Sequence, residues 1–132
     1  PALPPERSEH LEHLGRLKSG WLHEGSEPPS SDTLKHTERI LLAILDAEIA
    51  APTIYPSGDG GIQLEWRTDA RVIEVELLNE GRVGAAWYER DADEDGEDST
   101  FSTSDPDGVA DFVKDAISDS KAERKPPDLS VG

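Results

Sequence analysis

The sequence predicts an α+β fold: two N-terminal helices, an antiparallel β-meander of three or four strands and a C-terminal helix. Apolar residues recur every three or four positions near both ends of the chain, as on amphipathic helices. Over residues 62–89 they alternate with polar residues, and short turns separate the alternating runs, which favours antiparallel neighbours. The sheet therefore has one apolar face, and we expect the helices to cover it.

Three segments have a helical pattern. The first runs from about Glu6 to Ser19, and the second, from about Asp32 to Ile49, is the most apolar and is expected deepest in the core. The third begins near Asp105, whose carboxylate can cap the first turn, and Pro106 suits the first helical position.

The alternating pattern opens with a short segment, Thr53–Tyr55, whose flanking prolines are typical of an edge strand. Three further runs follow, at 62–67, 73–77 and 82–89. A weak strand is predicted over Ser99–Ser102, after an acidic loop at 91–98.

The length of 132 residues fits one domain. We expect a flexible arm at residues 1–5, because adjacent prolines do not lie inside a helix. A single domain is predicted over 6–119, followed by a disordered tail at 120–132, which is polar and contains prolines.

Charge is the strongest compositional signal. The 13 Lys and Arg residues against 29 Asp and Glu give a net charge of −16. Such a protein repels the phosphate backbone of DNA and RNA, so direct nucleic-acid binding is not expected, whereas a basic protein partner would be attracted. The same acidity would also serve solubility alone.

The absence of cysteine excludes disulfides and zinc–thiolate sites, and no other cofactor is expected. No signal-peptide pattern is present. The longest apolar run, Ile40–Leu45, is far too short to cross a bilayer, so we expect a cytoplasmic protein that does not enter membranes.

Two segments resemble a small bacterial domain family of unassigned activity. They are Gly20-Trp21 with the Gly25–Ser30 loop that leads into the second helix, and Pro52–Pro56 with the Gly-Gly-Ile-Gln-Leu-Glu-Trp strand at 60–66. The resemblance covers roughly residues 10–90. It implies the α+β fold rather than a chemical activity.

One acidic segment has the pattern of a calcium site. Asp91, Asp93 and Asp95, followed by Gly96, match the first half of a calcium loop, in which alternate carboxylates surround the cation and a glycine makes the turn. The second half departs from that motif, because Ser102 stands where a bidentate Glu is required. A solvated acidic loop is the alternative interpretation.

Catalytic and other metal-binding patterns are weaker. His10 and His13 have the spacing of metal ligands on a helix but also that of surface residues. The sequence has neither a cysteine nor a Gly-x-Ser-x-Gly elbow, so it offers no nucleophile pattern. Carboxylates alone, Glu65 with Glu74 or Glu76, could act as an acid–base pair, but on an open sheet they would be solvated. We therefore expect a protein that is not an enzyme.

The favoured hypothesis is an acidic protein-interaction domain, in its most concrete form an antitoxin, immunity or inhibitor protein. Its docking surface is predicted to combine the polar sheet face, the acidic loop and an aromatic anchor. The candidate residues are Trp21, Glu65, Glu74, Glu76, Glu89, Asp91, Asp93, Glu94 and Asp95.

Overall fold

The computed structural model describes residues 3–18, 20–21, 25, 27–57, 59–78, 81–90, 95–102 and 104–123. These residues form three helices, α1 (Pro5–Gly15), α2 (Ser31–Asp46) and α3 (Pro106–Glu123). They also form five strands, β1 (Thr53–Pro56), β2 (Ile62–Arg67), β3 (Arg71–Leu77), β4 (Arg82–Glu89) and β5 (Asp95–Ser102). All neighbouring strands are antiparallel, in the order β1-β2-β3-β4-β5.

The predicted α+β class with an antiparallel meander is confirmed, but the sheet has five strands rather than three or four. The extra length lies in β5, which begins at Asp95 instead of near Ser99. The first half of β5 contains acidic residues and a glycine, so it lacks the alternation of apolar and polar residues that predicts a strand. Gly96 is accommodated at a β-bulge, where a side chain would collide with the ring of Trp87. Acidic residues suit this strand because it is a sheet edge.

The helix ends also differ from the prediction. Helix α1 ends at Gly15, because glycine lowers helix stability, and the N–H groups of Arg16 and Leu17 turn back to carbonyls three residues earlier. Helix α3 begins at Pro106 as predicted, and Asp105 Oδ1 accepts a hydrogen bond of 3.0 Å from Gly108 N.

The predicted domain limits stay predictions, although the element bounds differ at both ends. Leu3, expected in the arm, is 8% exposed and belongs to the core. Helix α3 extends to Glu123, past the expected start of the tail. Residues 1–2 and 124–132 lie outside the described residues.

One face of the sheet meets the helices in the core. Alternate strand residues, among them Ile62, Leu64, Ile73 and Val75, are fully buried in a cluster with apolar residues of all three helices. Burying this apolar area supplies the main driving force for folding. The tryptophan of β2 also belongs to the cluster, and its Nε1–H donates a hydrogen bond of 2.7 Å to a backbone carbonyl of the α2–β1 connection.

Arg71 is a buried charge at one end of the core, with only 2% of its surface exposed. Its Nε donates a hydrogen bond of 3.1 Å to Glu89 Oε1 on β4, and its Nη1 donates one of 3.0 Å to the carbonyl of Ala116 on α3. The guanidinium also lies 3.5 Å from the ring centre of Trp87. Arg71 thus joins β3, β4 and α3 through an ion pair, a hydrogen bond and a cation–π contact.

The C-terminus of α2 is closed by a Schellman motif. Ile49 N–H donates to Ile44 O and Glu48 N–H donates to Leu45 O, both within 3.1 Å. The motif requires a left-handed residue, and here it is Glu48 with φ 62° rather than the usual glycine. The helix therefore stops at Asp46, three residues before the predicted end, at a strained position.

Replacing Arg71 should destabilise the fold strongly. We expect Arg71→Ala to lower the free energy of unfolding by about 3 kcal/mol, because Glu89 loses its cation and α3 loses its link to the sheet. The measurement is chemical denaturation. The matched control is Arg39→Ala on the exposed side of α2, with an expected change below about 0.5 kcal/mol. Equal losses in both variants would contradict the role given to Arg71.

Replacing Glu48 by glycine should stabilise the protein. Glu48→Gly relieves the left-handed strain and removes a negative charge from the C-terminal end of a helix, so we expect a gain of about 1 kcal/mol in thermal or chemical denaturation. The control is Ala47→Gly at the preceding position, where φ is −82° and glycine should destabilise instead. Destabilisation by both variants would rule out the strain at Glu48.

Candidate protein-interaction face

The sheet face opposite the core is not covered by the described helices, and we call it the open face. The strand register places on it residues from all five strands: Thr53, Tyr55, Gln63, Glu65, Arg67, Val72, Glu74, Glu76, Arg82, Gly84, Ala86, Tyr88, Asp98, Thr100 and Ser102. Within the described part of the chain, the only large apolar or aromatic side chains that count as exposed are Tyr55 (44%) and Tyr88 (36%), and both lie on this face.

The open face carries a net negative charge. Its four carboxylates, Glu65, Glu74, Glu76 and Asp98, lie on β2, β3 and β5, against two guanidinium groups. Glu65 and Glu74 are directly opposite each other on neighbouring strands. Like charges in such positions repel, so the arrangement costs folding stability and favours a cationic neighbour from outside.

Glu65 is already largely neutralised inside the protein. Its Oε1 lies 2.8 Å from Arg67 Nε, and its side chain is only 12% exposed. The contact with Glu65 raises the pKa of Arg67 above its ordinary value. The carboxylates of the open face that remain accessible are therefore those of Glu74, Glu76 and Asp98.

Tyr88 is coupled to the acidic side chains next to it. Its hydroxyl lies 3.5 Å from Glu74 Oε1, at the limit of a hydrogen bond. Burial, followed by the negative charge of Glu74, raises the pKa of Tyr88 above the usual tyrosine value. Val72, its cross-strand neighbour, is only 2% exposed although it belongs to the open face. Tyr88 thus combines an aromatic surface with a polar tip, as the anchors of protein interfaces often do.

A cavity of about 730 Å³ lies beyond the end of β1, where the open face meets the core. Ile49, Trp66 and Ile117 form its apolar wall, and Glu48 and Lys114 add charges of opposite sign. Its mouth reaches the open face, because Tyr55, Glu65 and Arg67 line both. Of the three sheet carboxylates considered as an acid–base pair, only Glu65 lines this cavity, and Arg67 already holds it.

The structure brings together some of the predicted docking residues and separates others. Glu65, Glu74 and Glu76 share the open face as expected. Glu89 does not, because it has the same strand parity as the core residues of β4 and pairs with the buried Arg71. Its carboxylate is bound to Arg71 and 32% exposed, so it serves the fold, and the predicted docking role of Glu89 stays a prediction.

Trp21 belongs to the connection between α1 and α2, not to the sheet. Its ring is half-buried, and its Nε1–H donates a hydrogen bond of 3.0 Å to the carbonyl of Glu27. This contact fixes the connection locally. The structure therefore gives Trp21 a structural contact, and its predicted role as a docking anchor stays a prediction.

The acidic loop falls mostly outside the described residues. Asp91, Asp93 and Glu94 are not among them, and Asp95 begins β5. Gly96 lies in extended strand against Trp87, which explains this glycine without a calcium loop. The calcium interpretation and the docking role of the loop stay predictions.

His10 and His13 both lie on α1, where His13 is exposed and His10 partly exposed. Among the described residues, no three His, Asp or Glu side chains are placed to hold a metal ion. His10 and His13 therefore have no third metal ligand among the described residues, and a metal site at this pair stays a prediction.

Among the residues of the open face that the sequence analysis does not place there are Tyr55, Tyr88, Asp98 and Gly84. Tyr55 and Tyr88 directly follow Ile54 and Trp87, which point towards the core. Since successive residues of a strand point to opposite faces, the sequence already predicts that both tyrosines lie on the open face. Asp98 was assigned to a loop, so its face could not be deduced before β5 was recognised.

Comparison with protein-family models, with curated proteins and with solved structures gave no match. The resemblance to a bacterial domain family therefore stays a prediction. The structure nevertheless accounts for the strand segment that carries it, because Ile62, Leu64 and Trp66 are all core residues. In the described part of the chain, no helix is both long and apolar enough to span a membrane.

The coupling between Tyr88 and Glu74 can be measured by pH titration. In a Tyr55→Phe background Tyr88 is the only tyrosine, since the chain has two. We expect a spectrophotometric titration to give a pKa above the ordinary value of about 10, and Glu74→Gln to lower it. The neutral phenol is favoured in the folded state, so the free energy of unfolding should fall as the pH rises through this range.

Glu38→Gln on α2 serves as the control for this titration, because it removes the same charge away from the open face. If Glu74→Gln and Glu38→Gln change the pKa of Tyr88 equally, the local contact is refuted.

Proposed function

We propose that this protein is a non-enzymatic interaction domain whose open face docks a basic protein, as an antitoxin, immunity or inhibitor protein would. One observation carries the proposal: the face left uncovered by the described helices holds the two exposed tyrosines of the described residues together with the accessible carboxylates of β3 and β5. Charge would accelerate the encounter, and the tyrosines would prolong the complex.

The character of the surface supports protein docking over a purely solubilising role. A charge that serves solubility alone needs no aromatic residues and can be dispersed over the surface. Here Tyr55 and Tyr88 share one sheet face with the carboxylates. Tyrosine is enriched in interfaces because it offers a large contact area and a hydrogen-bonding hydroxyl.

The pairing of Arg67 with Glu65 also supports a cationic partner. The face already binds one guanidinium, supplied by its own strand. Among the described residues, the three ion pairs are Arg16–Glu12, Arg67–Glu65 and Arg71–Glu89, and none of them involves Glu74, Glu76 or Asp98. A basic surface would complete the same kind of contact for these carboxylates.

The experiment compares capture by matched variants. Immobilised wild-type protein is exposed to an extract of its source organism in dilute buffer, and bound proteins are identified by mass spectrometry. The open-face variant is Glu74→Gln with Glu76→Gln and Asp98→Asn. The control variant is Glu38→Gln with Asp111→Asn and Asp115→Asn, which removes three exposed charges from α2 and α3.

We expect wild type and the control variant to retain the same basic protein, and the open-face variant to lose it. Retention should also fall steeply with added salt, because exposed charges are screened. Equal retention by both triple variants would show that only net charge matters and would refute the proposal. Retention of no protein by wild type would refute it as well.

A further inference from the structure

A glycine occupies the middle of the open face without a reason inside the protein. Gly84 lies in the interior of β4, where glycine weakens a strand. Its φ is outside the left-handed region, so the backbone does not require glycine. A Cβ atom added there would meet no atom within 4 Å, so packing does not require it either. Gly96, by contrast, is explained by the ring of Trp87.

On the open face of β4, Gly84 and Ala86 are small residues with longer side chains on both sides, so the register outlines a channel with these two residues as its floor. On one side lie Glu76 and Glu74 of β3, directly opposite the two floor residues. On the other side lie Thr100 and Asp98 of β5. The two walls are about 10 Å apart, twice the spacing of neighbouring strands. We call this feature the Gly84 channel.

One end of the channel is aromatic. Tyr88 follows Ala86 on the same face of β4, and its hydroxyl is close to Glu74. The channel therefore has a floor without large side chains, carboxylates on both walls, the ring of Tyr88 at one end and Arg82 of the same strand at the other. A long side chain with an apolar stem and a cationic tip matches the floor, the carboxylates and the ring.

We propose that the docked partner lays an arginine side chain in the Gly84 channel. Its aliphatic stem contacts Gly84 and Ala86, and its planar guanidinium reaches the carboxylates of the walls. The proposal rests on the proposed function and adds to it the position and chemistry of the main contact. Glycine at position 84 then has a function, because any larger residue would occupy the space that the stem needs.

Arginine fits better than lysine for a geometric reason. A guanidinium has five donors in one plane and can form two parallel hydrogen bonds to one carboxylate, whereas an ammonium group is a point charge with a stronger hydration shell. The intramolecular pair of Arg67 and Glu65 shows the same chemistry on the same face, with a contact of 2.8 Å.

The test uses labelled peptides of six arginines, six lysines and six citrullines, with binding followed by fluorescence anisotropy in dilute buffer. We expect wild type to bind the arginine peptide more tightly than the lysine peptide and not to bind the uncharged citrulline peptide. Gly84→Ala should weaken binding about threefold and Gly84→Leu about tenfold or more, as the channel fills. Neither change should lower the melting temperature, since the added atoms project into open space.

Ser31→Leu, at the exposed start of α2, controls for added apolar volume and should bind as wild type does. If Gly84→Leu retains wild-type affinity while Glu74→Gln with Glu76→Gln and Asp98→Asn loses it, the channel proposal is refuted and the acidic docking face stands. Equal affinity for the arginine and lysine peptides would refute the guanidinium preference. If wild type binds no peptide, the channel proposal is refuted, and the capture experiment decides the proposed function separately.

The chain's own C-terminal segment is the competing occupant, because it contains Lys121, Arg124 and Lys125. A variant with glutamine at these three positions distinguishes the two cases. Unchanged peptide affinity supports a partner as the occupant. Markedly tighter binding would assign the channel to this segment and overturn the proposal.

Discussion

The buried guanidinium of Arg71 is the interaction on which the arrangement of sheet and helices depends. Apolar contacts bring α3 onto the sheet, but they have no direction and permit sliding. The hydrogen bond from Arg71 to the carbonyl of Ala116 is directional, and the ion pair with Glu89 fixes the same guanidinium to the next strand. Because an unpaired buried charge costs several kcal/mol, alternative positions of α3 are penalised.

That fixed arrangement leaves the two faces of the sheet with different tasks. Ile62, Leu64, Ile73 and Val75 are fully buried against the helices, so the core face has no freedom to carry function. The residues of the open face do not pack in the core, so their identity can be determined by the molecules that this face contacts. A mid-strand glycine reduces stability, and Gly84 lies on this face.

The cavity at the end of β1 adds to this division. It begins on the open face at Arg67 and continues towards the wall formed by Trp66, with the strained Glu48 on its rim. Backbone strain of this kind is common near functional sites. A partner that covers the open face would also cover the mouth of the cavity.

Much of the fold could be predicted from local patterns. The alternation of Ile62, Leu64 and Trp66 gave the strand and its buried side, because a strand has a period of two and one apolar face. The start of α3 followed from Asp105 and Pro106, because the first turn of a helix needs a cap and tolerates proline. These features depend on residues that are neighbours in the chain.

The remainder depends on residues that meet only after folding. The sequence shows that Arg71 and Glu89 point to the same face as the core residues of their strands. That they lie opposite each other follows only from the register of β3 and β4. The early end of α2 requires Glu48 in a conformation that glycine usually adopts. The composition of the open face could be predicted only in part. Asp98 lies on it because residues 95–98 are part of β5, and the glycine within them, Gly96, is explained only by its contact with Trp87 on the neighbouring strand.

The strictly sequential strand order has a consequence for synthesis on the ribosome. Each strand pairs only with its neighbours in the chain, so the sheet can assemble hairpin by hairpin as the chain emerges, without closing long loops. Helix α3 is made last among the described elements, and until it arrives part of the apolar face of the sheet and the guanidinium of Arg71 lack their cover. The nascent chain is thus most exposed to aggregation just before α3 docks, when its high negative charge keeps neighbouring chains apart.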